Sequence, residues 1–169
     1  IAGIVISGKA KEKVYVYCNE QVYNAIIDIC ILVLPIELLN ALDIVIEYVV
    51  LKDGDNYEIN GLDYTFFDVH AKGQVLFGFE TILSSGENLI FLGDKACDES
   101  QYERIKNADY VMLEAFCLDN EEGIPGIVKE HHSTVKKVCE KMESLNIKNL
   151  ILFHTEESHR DRKELYTKE

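Results

Sequence analysis

No basic patch offsets the acidity of this 169-residue chain, in which 30 Asp and Glu stand against 17 Lys and Arg for a formal net charge of −13. An acidic surface repels phosphate backbones, so binding nucleic acid would require a local cationic site or a bound cation. The segment Gly8-Lys9-Ala10-Lys11-Glu12-Lys13 is short and reads as a solvated loop. Long apolar runs are missing too. The opening Ile1-Ala2-Gly3-Ile4-Val5-Ile6-Ser7 is too short to span a bilayer and follows no basic leader, and the run 25–39 is broken by Asp28, Pro35 and Glu37. That second run predicts two buried helices, and no membrane association is expected. The start inside an apolar segment predicts that further residues precede Ile1. The five cysteines, Cys18, Cys30, Cys97, Cys117 and Cys139, are an odd set with no Cys-x-x-Cys pair, mostly within apolar patterns, as expected of free thiols in a reducing cytoplasm.

What the chain does contain is a series of apolar strands that each close on one polar residue. Leu89-Ile90-Phe91-Leu92-Gly93-Asp94, Tyr110-Val111-Met112-Leu113-Glu114 and Asn149-Leu150-Ile151-Leu152-Phe153-His154 share this form, and His70 closes the strand 62–70. Segments apolar almost throughout suit a sheet covered on both faces, where sites form at the carboxyl ends of strands. Asp94, Glu114, His154 and His70 are therefore expected on one rim, with His132 nearby in the His-Ser-Thr triplet before a helix. Two imidazoles and a carboxylate are ligand types for zinc, iron or manganese. A single Asp or His at a strand end more often caps or turns the chain. Recurrence on successive strands favours the metal-site reading, because capping needs no common edge. Cys97 and Cys117, each three residues beyond a rim carboxylate, are weaker candidates.

The remaining pattern predicts one domain over 1–169. Asn19 caps a helix running to about Leu34, Pro35 begins another, and a strand follows over 44–51. The turns at Asp53-Gly54-Asp55 and Asn60-Gly61 predict an antiparallel meander over 44–83. Beyond Asp94 helix and strand alternate, with a short helix over 100–106, an acidic loop over 117–130 and a polar helix after Glu156. From Ser133 a helix carries Val135, Val138, Cys139, Met142 and Leu145 as a one-sided apolar stripe.

Taken in order, Asp68-Val69-His70 before Phe77-Gly78-Phe79, Leu92-Gly93-Asp94, Leu113-Glu114-Ala115, His132-Ser133-Thr134 and Leu152-Phe153-His154 resemble the metallo-β-lactamase fold superfamily, and within it the hydrolases similar to ribonuclease Z. The resemblance implies an α/β (α+β) fold, an αββα sandwich of which this chain supplies roughly the C-terminal two thirds. It implies that His70 and His154 each bind one of a pair of zinc ions (manganese or iron being alternatives), that Asp94 bridges them, and that Glu114 and His132 form a proton relay. The implied chemistry is hydrolysis of a phosphodiester or another ester by a metal-bound hydroxide.

This chain departs from the family pattern in several places. The superfamily's His-x-His-x-Asp-His motif is absent, so the domain is expected to be N-terminally incomplete and inactive alone. Leu113 stands where ribonuclease Z relatives carry His, and Phe116 where they carry Thr. Only one hairpin separates His70 from Asp94, where those relatives insert a long arm that grips transfer RNA. With the net charge, this argues against transfer RNA and for a small-molecule or short-nucleotide ester. A half-fold would expose apolar surface, so self-association, as in a homodimer, is expected. The competing readings are a noncatalytic fragment or degenerate member serving as a binding or structural module, and a doubly wound receiver-like domain with Asp94 as phosphoacceptor.

Overall fold

The computed structural model describes residues 13–71, 73–119, 133–154 and 164. The chain divides into two compact units, Ile1–Lys52 and Asp53–Glu169.

In the first unit β1 (Val14–Cys18) leads through α1 (Glu20–Val33) and α2 (Ile36–Val45) to β2 (Ile46–Val50). The Asn19 side chain accepts the Val22 N–H at 2.8 Å and starts α1. The ring of Pro35 pushes Leu34 into extended backbone (φ −108°, ψ 139°), which separates the helices. The expected strand 44–51 is shorter, because Ile44 and Val45 complete the last turn of α2, and it is no part of the meander. β2 pairs in parallel with β1, from Val14 opposite Ile46 to Cys18 opposite Val50. Parallel pairing needs a long crossover, which the two helices supply. The expectation of two buried helices also fails within this unit. α1 buries no residue, and Ile29, Ile31, Leu32 and Val33 are exposed. Two strands are too narrow to cover a helix that is apolar around most of its circumference.

The second unit is a six-stranded sheet in the order β3 (Asn56–Ile59), β4 (Leu62–Asp68), β5 (Phe77–Ile82), β6 (Asn88–Phe91), β7 (Tyr110–Glu114) and β8 (Asn149–Phe153). Asn60 and Gly61 both take positive φ between the paired residues Ile59 and Leu62, as a two-residue hairpin requires. Strands β3 to β6 are antiparallel, and β6, β7 and β8 are parallel. The antiparallel half excludes the all-parallel receiver-like arrangement.

The parallel strands alternate with α3 (Glu99–Ile105) and α4 (Val135–Ser144). Phe67, Ile90, Val111 and Leu113 from the sheet form one core with Ile105 of α3 and with Val135, Val138 and Met142 of α4. Cys139, expected in that apolar stripe, is exposed, since the 3,4-spaced line through residues 135, 138 and 142 leaves it to one side. Alternation along the strands gives the other face a row of rings, Phe66, Phe79, Phe91 and Phe153, with successive centroids 6.3, 5.1 and 5.3 Å apart. Most of the acidic loop after Asp119 and, apart from residue 164, the helix expected after Glu156 lie outside the described residues.

Candidate metal-site rim

Strand direction decides which residues can meet. β4 and β6 are both antiparallel to β5, and β6, β7 and β8 are parallel, so β4, β6, β7 and β8 all end on one edge. His70, Asp94, Glu114 and His154 are carried at or just beyond those ends. His70 (φ 56°) and His154 (φ 54°) occupy left-handed backbone, which costs a non-glycine residue about 1–2 kcal/mol. Gly93 also turns through left-handed backbone (φ 68°), and a side chain there would press on Leu76 at 3.3 Å.

Asp94 and His154 meet on this rim, with Asp94 Oδ1 against His154 Nδ1. Both side chains remain open to solvent, and Phe116 meets the His154 ring edge-on at 5.6 Å between centroids. His70 is oriented differently. Its N–H donates to Asp68 Oδ1 at 2.7 Å, its Nδ1 lies 3.7 Å from Asp68 Oδ2, and its side chain is 65% exposed. Asp68 is fixed in turn, its own N–H donating to Asp53 Oδ1 at 2.9 Å.

The loops bearing His70 and Asp94 are tied together by Lys95. Its ammonium donates to the carbonyls of Val69 (2.8 Å) and His70 (3.2 Å) and to Asp98 Oδ2 (2.5 Å), while Gln101 Nε2 also reaches Val69 O at 2.9 Å. Burial pushes the Asp98 carboxyl up, but bonds from Lys95 and Ser100 outweigh it and hold the group below its ordinary value. Asp98 also caps α3 through a reciprocal box with Gln101. Sequence reasoning missed Lys95. Its position directly after Asp94 was the available signal, but nothing local distinguishes a half-buried lysine from a solvated one.

Glu114 is fully buried, and Oε1 accepts the N–H of Ser133 at 2.8 Å. The segment after β7 and the start of α4 are stitched by Phe116 N–H to Ser133 O (3.1 Å) and Val135 N–H to Cys117 O (3.0 Å). Thr134 then caps α4 by accepting from the Lys137 N–H at 3.3 Å. The carboxylate therefore sits beside Ser133. His132 itself lies outside the described residues, and with it the expected Glu114–His132 contact. Burial, with a smaller push from Asp98, raises the Cys97 thiol to about 12, so it is protonated at neutral pH. Cys117 is buried at 2% exposure.

A carboxylate oxygen against an imidazole nitrogen is zinc-binding chemistry, but zinc generally takes three or four protein ligands. Among the described residues no group of three or more His, Cys, Asp or Glu is close enough to hold a metal. Among the described residues the rim thus fits the expected metal in donor type and falls short in donor number.

The family model for the Beta-lactamase superfamily domain matches residues 4–155. The chain belongs to that superfamily. The likeness to metallo-β-lactamase folds, including a ribonuclease Z relative, extends to solved structures. Zn(2+)-bound PqqB from Methylobacterium extorquens matches with a TM-score of 0.65 at 16% identity, over 92% of this chain and 55% of that one. The metallo-beta-lactamase fold protein YhfI from Bacillus subtilis matches with 0.62 at 12% identity, over 91% and 56%. Human tRNase Z, short form, matches with 0.60 at 18% identity, over 89% and 63%. At these identities the likeness concerns the fold, and this superfamily member spans little more than half the length of those chains. No curated protein matches it.

Proposed function

We propose that this chain carries part of the site of a metal-dependent hydrolase acting on a phosphodiester or other ester. The contact between Asp94 and His154 at the shared strand edge carries the reading. In it Asp94 and His154 hold zinc, with manganese or iron as alternatives, and His70 turns from Asp68 to add a ligand for a second ion. A bound zinc pair supplies hydroxide at neutral pH by lowering the pKa of coordinated water. Asp94 would be the carboxylate ligand of such a pair, and Lys95 holds its loop against that of His70. Glu114, buried and fixed by Ser133, handles a proton beside the leaving group with His132 as its partner. The left-handed backbone at both histidines favours a functional role, because such strain tends to gather at sites.

A small-molecule or short-nucleotide ester suits the acidic surface better than transfer RNA, and a single hairpin, β5 to β6, separates the strand ends bearing His70 and Asp94. No described helix is long and apolar enough to cross a membrane. The five free cysteines support placement in the cytoplasm.

A second reading, a noncatalytic binding or structural member, is favoured by the shortage of donors among the described residues. Zinc titration with a bis(nitrophenyl) phosphate assay separates the two. Zinc binding that depends on Asp94 and His154 supports the metal rim, and binding indifferent to both supports the noncatalytic reading. Hydrolysis is expected only where further donors complete the site. Tight binding of a zinc pair with turnover by the chain alone would refute the incompleteness of the rim.

A further inference from the structure

The turn Asn60-Gly61 forms the tip of the β3–β4 hairpin, at the edge of the sheet, where β3 pairs with β4 alone among the described strands. Of the chain's asparagines only Asn60 precedes a glycine. We propose that Asn60 is a site of spontaneous self-modification, in which the Gly61 backbone nitrogen displaces the Asn60 side-chain amide, and that the isoaspartate so formed releases β3 from the sheet.

The reaction needs only these two residues and water. A solvent base takes the Gly61 amide proton, the nitrogen bonds to Asn60 Cγ, and the Cγ–Nδ2 bond breaks as ammonia leaves with a proton from water. Water then opens the five-membered imide at either carbonyl, giving aspartate or isoaspartate at position 60. Adjacent residues supply nucleophile and electrophile, so no entropy is lost in bringing them together. Access is open as well. Both residues are exposed, nothing lies within 4 Å of where a Gly61 side chain would begin, and neither the Asn60 side chain nor the Gly61 N–H has a hydrogen-bond partner among the described residues. The side chains of Asn56, Asn88, Asn107 and Asn149, by contrast, are each hydrogen-bonded.

In the closed turn Asn60 and Gly61 hold left-handed backbone (φ 53° and 80°), and swinging the side chain onto the next nitrogen requires the tip to loosen. Two features loosen it. β3 is a four-residue strand with one described neighbour, and such elements open at low cost. One step in from the turn Glu58 stands opposite Asp63, and like charges directly opposite destabilise the pair. The far end is held, since Gly54 N–H donates to Phe66 O and Asp68 N–H to Asp53 Oδ1, both at 2.9 Å, so opening begins at the tip. Isoaspartate carries the backbone through its Cβ and adds one atom to a two-residue turn, whose length sets the pairing of Ile59 with Leu62. Aspartate keeps that length.

The test is ageing of the full chain at neutral pH and body temperature, followed by peptide mass mapping with fragmentation that tells isoaspartate from aspartate. The expected result is a gain of one mass unit at Asn60, at least tenfold faster than at any other asparagine, with isoaspartate among the products. Glu58→Lys, which sets opposite charges across the pair, should slow the gain at least twofold. Raised salt, which screens Glu58 and Asp63, should act in the same direction without a substitution. Asn60→Gly, which keeps a turn-forming residue, should abolish the gain. In the isoaspartate fraction hydrogen exchange of the β3 amides should quicken at least tenfold while β7 keeps its protection. No gain at Asn60, a gain no faster than at other asparagines, a rate unchanged by both Glu58→Lys and salt, or intact β3 protection in the isoaspartate fraction would overturn the proposal.

Discussion

Replacing Lys95 by Met removes the ammonium that joins the His70 and Asp94 loops while keeping most of the alkyl stem. The side chain is only 16% exposed, so the lost bonds are not readily replaced by water. Each hydrogen bond to a charged group contributes about 1.5–3 kcal/mol, but the acceptors keep other partners. Val69 O retains Gln101 Nε2 at 2.9 Å, and Asp98 Oδ1 retains the N–H and hydroxyl of Ser100 at 2.9 and 2.6 Å. Only the His70 carbonyl contact, at 3.2 Å, and part of the Asp98 interaction go unreplaced, which sets the expected loss at about 2 kcal/mol. For a chain of this size that corresponds to a fall in Tm of about 4–8 °C. Urea unfolding followed by circular dichroism, with a thermal scan in parallel, measures it. A loss below about 0.5 kcal/mol would show that Lys95 is a surface lysine of the ordinary kind, and that the two loops are held by other means.

Gly78→Ala should destabilise by about 1–3 kcal/mol in the same assay, because the new Cβ would meet the Phe91 carbonyl oxygen and come within 2.8 Å of Phe67 Cζ; a neutral result would mean β5 can shift. Asn19→Ala should remove about 1 kcal/mol through loss of the α1 cap, checked by the same denaturation. Asp98 and Asp109 both have carboxyls held below their ordinary value when folded, so the stability they contribute is present above the unfolded pKa and lost as pH falls through the lower folded value. Unfolding followed from about pH 5 to pH 2 should show that loss, and Asp109→Asn should reduce the slope. The exposed apolar residues of α1, Leu32 at 85% among them, should drive concentration-dependent association in sedimentation analysis, which Leu32→Glu should weaken.

The rim was legible because its strands are apolar runs ending on one polar residue, and strand direction alone then sets a common edge. Five ordered motifs were enough to reach the superfamily. What was not legible depends on contacts distant in sequence. β2 has the composition of a meander strand, and its parallel pairing with β1 follows from two intervening helices. The histidine at the end of β4 shows nothing local to indicate that its side chain turns toward Asp68. Lys95 and Glu114 look alike in sequence as charges beside strand ends, yet one ties two loops and the other is wholly buried against Ser133. The exposure of α1 escaped notice because an apolar run reveals the need for a partner without revealing whether one is at hand.

The central proposal is that Asp94 and His154 take part in holding a metal on the shared strand edge. Isothermal titration of zinc into the chain and into its Asp94→Asn and His154→Gln variants tests it most directly. The account predicts weak binding by the unaltered chain, lost in both variants, since the two donors that meet among the described residues fall short of the three or four that zinc generally takes. Zinc affinity unchanged by both substitutions would contradict it.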